Sequence, residues 1–166
     1  LVELASVTSP QLIVTAVGDT LGLRSAEGAS IEDVVIRYLW GRSLLLVIDN
    51  CEHLLDGVAA AIKLLLDSCP NLTILATSRE SLGIPGEFNL RVSSLSLPDA
   101  SRPGDQSESV QLFIERARSA RPDWQPNQGE MEAVARICTR IDGIPLGLEL
   151  AAARLRTVSA PDLAHK

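Results

Sequence analysis

Two apolar runs, each closed by polar residues and set one helix apart, constrain this chain most. Ser43-Leu44-Leu45-Leu46-Val47-Ile48 ends in Asp49-Asn50, and Asn71-Leu72-Thr73-Ile74-Leu75-Ala76-Thr77 ends in Ser78-Arg79. The first run has no polar alternation and so no face reserved for water. It is expected to form a central strand of a parallel sheet, covered on both faces. Between the runs, Leu54 to Ser68 reads as a helix stopped by Pro70. Strands alternating with helices predict a parallel α/β sheet with right-handed crossovers.

The flanks extend this pattern. Leu1 to Ala5 reads as a short strand, and Ser9-Pro10 opens a helix burying Leu12, Ile13, Ala16 and Val17. A loop at Gly22 to Ala29 precedes Ser30, which can cap a helix with Asp33 three residues on. That helix is expected to bury Ile31, Val34, Val35, Tyr38 and Leu39 and to stop at Gly41. Past the second run, Leu82-Gly83-Ile84-Pro85-Gly86 is a loop leading to a weaker strand at Phe88 to Val92. The character changes near Leu97, where a polar Pro/Gly stretch begins, and the rest reads as helical. Ser109 to Ala120 is one helix. A second starts at the capping-box pair Asn127 and Glu130, buries Met131, Val134, Ala135, Cys138 and Ile141, and ends at Gly143. Pro145 starts a third, through Arg156, and Ser159 opens a final turn.

Composition narrows the function. With 46% hydrophobic and 22% charged residues in 166, the chain has the balance of a globular protein rather than a disordered one. A net charge of -6 leaves no basic face for a phosphate-backbone footprint, so direct nucleic-acid contact is not expected. The apolar runs are too short to span a membrane, and a cytoplasmic location is expected. Cys51, Cys69 and Cys138 are odd in number and lack CxxC spacing, which speaks for reduced structural thiols. Cys51 and His53 invite a nucleophile reading, but residues two apart do not face each other on a helix. A chain opening on Leu1 rather than Met also reads as an excised piece of a longer protein.

Three segments carry chemistry. Asp49 at the carboxyl end of a buried parallel strand lies where open α/β sheets bind ligands. It is either a Mg²⁺-binding carboxylate or a helix-capping one. Thr77-Ser78-Arg79 lies past the next strand. Its guanidinium either senses a terminal phosphate or pairs with Glu80, Glu87 or another surface acid. Gly143-Ile144-Pro145-Leu146 makes a fixed corner that a plain helix–helix turn also explains.

Taken together, Leu46-Val47-Ile48-Asp49-Asn50-Cys51-Glu52-His53-Leu54, Ala76-Thr77-Ser78-Arg79-Glu80, and Gly143-Ile144-Pro145-Leu146 with Glu149 to Arg154 resemble the NB-ARC-like ATPase module of STAND-class signalling proteins. The closest likeness is to the subgroup in bacterial LuxR-type or SARP-type transcriptional regulators, some carrying adenylate-cyclase domains. The resemblance implies a partial P-loop NTPase-type parallel sheet over residues 1–97, a linker at 98–107 and an all-helical lid subdomain at 108–166. It implies ATP/ADP and Mg²⁺ as cofactors of the intact parent. Asp49 matches the Walker B and metal position, Thr77 and Arg79 lie at the γ-phosphate sensor, and Pro145 packs on the adenine. Partners would be other domains of the parent: a winged-helix domain and a DNA-binding output or cyclase domain.

The departures from that family are specific. No GxxxxGK[ST] occurs, and neither Lys63 nor Lys166 follows a suitable glycine, so the phosphate-cradling loop and its strand are missing. In the resembled fold that strand lies between those matching Leu72–Ala76 and Phe88–Val92, which leaves both without it here. Asn50 stands where many ATPases place a second acid, and an amide cannot act as a general base, which implies slow hydrolysis. Gly147 replaces the family's usual Ala. The expectation is a fragment of an ATP/ADP regulatory switch, weak at binding nucleotide alone. The alternatives are a degenerate, non-enzymatic interaction module and a stand-alone α/β enzyme using Asp49 and His53.

Overall fold

The computed structural model describes residues 1–25, 28–99 and 107–165. The expected Gly22–Ala29 loop and the 98–107 linker thus lie partly outside the described residues. The chain divides into two compact units, Leu1–Leu90 and Arg91–Lys166.

The first unit is mixed α/β. Its order is β1 (Val2–Glu3), a 3-10 turn at Pro10–Leu12, α1 (Ile13–Thr20), α2 (Ile31–Leu39), β2 (Leu44–Asp49), α3 (Leu55–Ser68) and β3 (Leu72–Ala76). The three strands are parallel in the order β1-β2-β3. Their register sets Val2 beside Ile48, Glu3 beside Asp49, and Leu46 beside Ile74. The helices bury Val14, Val17, Val35, Leu39, Val58, Ile62 and Leu65 in one core with Val2, Leu4, Leu46, Ile48 and Leu72. Ser30 caps α2 as its sequence suggests, its hydroxyl oxygen accepting from the Asp33 N–H at 3.1 Å.

Two strand expectations fail here, and Leu12, expected to be buried, is 48% exposed. β2 is central but not covered on both faces: Leu45 is 58% exposed and, across the sheet, Leu75 is 54% exposed. An unbroken apolar run reports that a strand is buried somewhere, not that both its faces are. The second failure is Phe88–Val92, where no strand forms and Phe88, Leu90 and Val92 are all exposed. Alternation makes a strand only when a neighbour completes the hydrogen-bond ladder. Among the described residues β3 pairs with β2 alone, so its outer edge offers an unpartnered row of backbone groups.

The second unit is helical: α4 (Glu108–Ala120), α5 (Gln128–Arg140), α6 (Pro145–Ala153) running into a 3-10 turn at Arg154–Arg156, and α7 (Ala160–Ala164). Its core joins Val110, Phe113 and Ala117 of α4, Ala133, Val134, Ile137 and Cys138 of α5, and Leu148, Ala152 and Leu155. Of the residues expected inside α5, Val134 and Cys138 are fully buried, whereas Met131, Ala135 and Ile141 are half-buried and Ala133 and Ile137 take the inner positions. The capping box at Asn127 and Glu130 is formed in both directions. No described helix is long and apolar enough to cross a membrane.

Candidate functional site

The parallel register brings the ends of β2 and β3 together. Past the last paired residues the ladder continues, with the Thr77 N–H donating to the Ile48 carbonyl at 2.9 Å and the Cys51 N–H to the Thr77 carbonyl at 3.0 Å. This holds Thr77 against Asp49, and its hydroxyl donates to Asp49 Oδ1 at 2.5 Å while accepting from the Asn50 N–H at 3.0 Å. Asn50 turns the chain off the strand with φ 65, a left-handed conformation that Asn tolerates better than most side chains.

The Asn50 side chain is already engaged. Its Nδ2 lies 3.3 Å from His53 Nδ1, and His53 Nε2 lies 2.9 Å from the Val7 carbonyl. Both bonds form together when Nε2 carries the proton and donates to Val7 while Nδ1 accepts from the amide. His53 therefore ties the β2 exit to the loop after β1. Cys51 points elsewhere: it is buried, with its sulfur 3.6 Å from the Ile48 carbonyl. Burial, with smaller help from Glu52 and Asp49, pushes its thiol up to about 11. A thiol so held is a poor nucleophile, so Cys51 and His53 do not act as a nucleophilic pair.

Arg79 pairs with Glu52 rather than with Glu80 or Glu87, its Nε donating to Glu52 Oε1 at 2.8 Å. The Glu52 carboxyl is held below the usual carboxylate range, first by its own backbone N–H and then by Arg79. Glu87 is occupied separately, accepting from the backbone N–H groups of Leu82, Gly83 and Ile84 and from the Ser81 hydroxyl. Asp49, Asn50, Thr77 and Arg79 thus share one end of the sheet in the first unit. Pro145 belongs to the second unit, in the first turn of α6, where Ile144 and Leu146 beside it are exposed.

Two acids at this end escape sequence reasoning. Glu3 lies beside Asp49 in register, and Glu52 holds Arg79. The alternation Val2-Glu3-Leu4 marks Glu3 as outward-facing, but only strand pairing shows what it stands next to. Among the described residues no group of three or more His, Cys, Asp or Glu side chains is placed to hold a metal ion. The Asp49 carboxylate and Thr77 hydroxyl supply oxygens only, which suits a Mg²⁺ that keeps its waters and shares a phosphate ligand rather than one caged by protein.

No protein-family model matches the chain, and no solved structure matches it. It is 42% identical over 163 residues to the Mycobacterium tuberculosis (strain H37Rv) protein named "Putative HTH-type transcriptional regulator Rv0890c" and equally to its Mycobacterium bovis counterpart, Mb0914c. That similarity covers 98% of this chain but 18% of the relative. It is also 42% identical over 161 residues to "Uncharacterized protein Rv0894" of Mycobacterium tuberculosis, covering 97% of this chain and 39% of that protein. The chain therefore spans less than half the length of either relative.

Proposed function

We propose that this chain is part of the nucleotide-binding module of a longer signalling or transcriptional regulator, an ATP/ADP switch of the NB-ARC-like STAND class. The observation that carries the reading is the hydroxyl–carboxylate pair of Thr77 and Asp49 at the carboxyl ends of adjacent parallel strands, with a guanidinium two residues on. Oxygen ligands, a hydroxyl and a phosphate-matching cation at that level of an open α/β sheet suit a nucleoside triphosphate with Mg²⁺. The named relative, a regulator several times longer than this chain, supports a regulatory role.

In this reading Asp49 holds Mg²⁺, and Thr77 and Arg79 meet the terminal phosphate. Bound Mg²⁺ would neutralise phosphate charge. Asn50, lacking a basic group and bonded to His53, does not activate water, and hydrolysis is slow. The open edge of β3 is where the phosphate-loop strand of the resembled fold would lie. Without that loop the chain by itself binds ATP no tighter than about millimolar, on the order of -4 kcal/mol. Winged-helix, DNA-binding or cyclase domains of the same polypeptide would read the nucleotide state.

The test is calorimetry of ATP and ADP on the full-length protein with and without Mg²⁺. Micromolar, Mg²⁺-dependent binding that Asp49→Ala weakens at least tenfold is expected. Absence of binding, or indifference to Asp49→Ala in a folded protein, overturns the reading. A second reading, a non-enzymatic interaction module, is favoured by the exposed Phe88, Leu90 and Val92 and by the open face at Leu45 and Leu75. It predicts a partner-binding protein that ignores nucleotide.

A further inference from the structure

Arg79 is three residues past β3 on a stretch without regular secondary structure, and its side chain is 84% exposed. A long cation placed this way is spread over many rotamers unless something holds it. Among the described residues its one polar partner is Glu52.

Glu52 is well placed to hold it. Its own side chain is 20% exposed, and the backbone around it is tied on both sides. The Asn50 and Cys51 N–H groups donate to Thr77, and the His53 ring bonds the Val7 carbonyl. The geometry of the bond matters as much as its existence. The carboxylate engages Nε, at the inner edge of the guanidinium, and leaves the two terminal nitrogens without a partner among the described residues. Those terminal nitrogens are the paired donors that match two phosphate oxygens. The Thr77 hydroxyl and the Asp49 carboxylate lie at the same end of the sheet, two residues before Arg79 and three before Glu52 respectively.

We propose that Glu52 is a positioning residue, anchoring Arg79 through Nε so that its terminal nitrogens face a γ-phosphate beside Asp49 and Thr77. The inference rests on the nucleotide reading above and adds to it a residue that does not itself touch the ligand. Glu52 sharpens the preference for ATP over ADP rather than the affinity for nucleotide in general, because ADP offers Arg79 no terminal phosphate.

The experiment measures ATP and ADP affinities, with Mg²⁺, for the full-length protein and its Glu52→Ala, Glu52→Gln, Arg79→Ala and Glu52→Ala/Arg79→Ala variants. Expected are a fall of about tenfold in the ATP:ADP preference on Glu52→Ala with ADP affinity unchanged, and a double variant no worse than Arg79→Ala. Glu52→Gln, whose side-chain oxygen still accepts from Nε, should fall less than Glu52→Ala. If Glu52→Ala does not fold, Glu52→Gln carries the test, with a several-fold fall expected and an unchanged ratio overturning the proposal. A ratio that depends on Arg79 but not on Glu52 overturns this inference alone, as does equal weakening of both nucleotides. A wild-type protein without ATP preference, or one whose preference ignores Arg79, overturns the nucleotide reading and this inference with it.

Discussion

Replacing Gly143 with Ala should cost the second unit far more than the loss of one glycine suggests. Gly143 turns the chain from α5 into α6 with φ 64, accepts a hydrogen bond from the Leu95 N–H at 3.0 Å, and donates to the Cys138 carbonyl at 3.2 Å. A β-carbon there would fall inside the van der Waals envelope of the Leu95 carbonyl oxygen and within 3.3 Å of its backbone nitrogen. Leu95 cannot easily retreat. The N–H of Ser96, next in the chain, donates to Glu108 Oε2, and the Ser96 hydroxyl oxygen accepts from the Glu108 N–H, both at 3.0 Å. The left-handed backbone costs Ala roughly 1–2 kcal/mol. Breaking the Leu95 bond adds about 1 kcal/mol. A total of roughly 2–3 kcal/mol is a large part of the roughly 5–15 kcal/mol that holds a domain together. At about 4–8 °C per kcal/mol for a unit of this size, the melting point should drop by roughly 8–24 °C. Gly41→Ala is the control, since Gly41 has φ 75 but nothing within 4 Å of the added carbon, so only the backbone term of roughly 1–2 kcal/mol applies. Thermal and urea melts followed by circular dichroism read both. A Gly143→Ala loss no greater than that of Gly41→Ala would refute the claim that the Leu95 contact dictates glycine.

Two further outcomes follow from the first unit. Glu87 is held below the usual carboxylate range chiefly by the Leu82 N–H, then by Ser81, Ile84 and Gly83, so its clasp is complete above about pH 4.3 and is lost as pH falls through the lowered value. Exchange protection at the Leu82, Gly83 and Ile84 amides should therefore collapse in acid in the wild type and already be weak at neutral pH in Glu87→Gln; pH-independent protection factors would contradict this. Thr77→Val keeps the shape of the side chain but removes its bonds to Asp49 and Asn50 at an exposed position. It should cost about 1 kcal/mol in urea unfolding, with an unchanged melt counting against the role of that hydroxyl in holding the β2 and β3 ends together.

The sequence by itself determined the local elements. Leu44–Asp49 and Leu72–Ala76 are strands, Ser30 caps one helix, and Asn127 with Glu130 makes a complete capping box, each within a residue or two of its expected place. Helices and caps are legible because their hydrogen bonds close within a few residues of chain, so composition and spacing suffice. Tertiary structure decided the rest. Phe88–Val92 has the alternation of a strand and forms none, because a strand's hydrogen bonds belong to its neighbour and no described strand lies beside it. The same dependence governs the candidate site. Asp49, Thr77 and Arg79 stood out singly in the chain. That Thr77 bonds Asp49, that Glu3 lies beside it, and that Glu52 rather than Glu80 or Glu87 takes Arg79 all follow from strand register and loop position. Register is set by how β1, β2 and β3 share one buried face, a property of several distant segments at once that no single stretch of sequence carries.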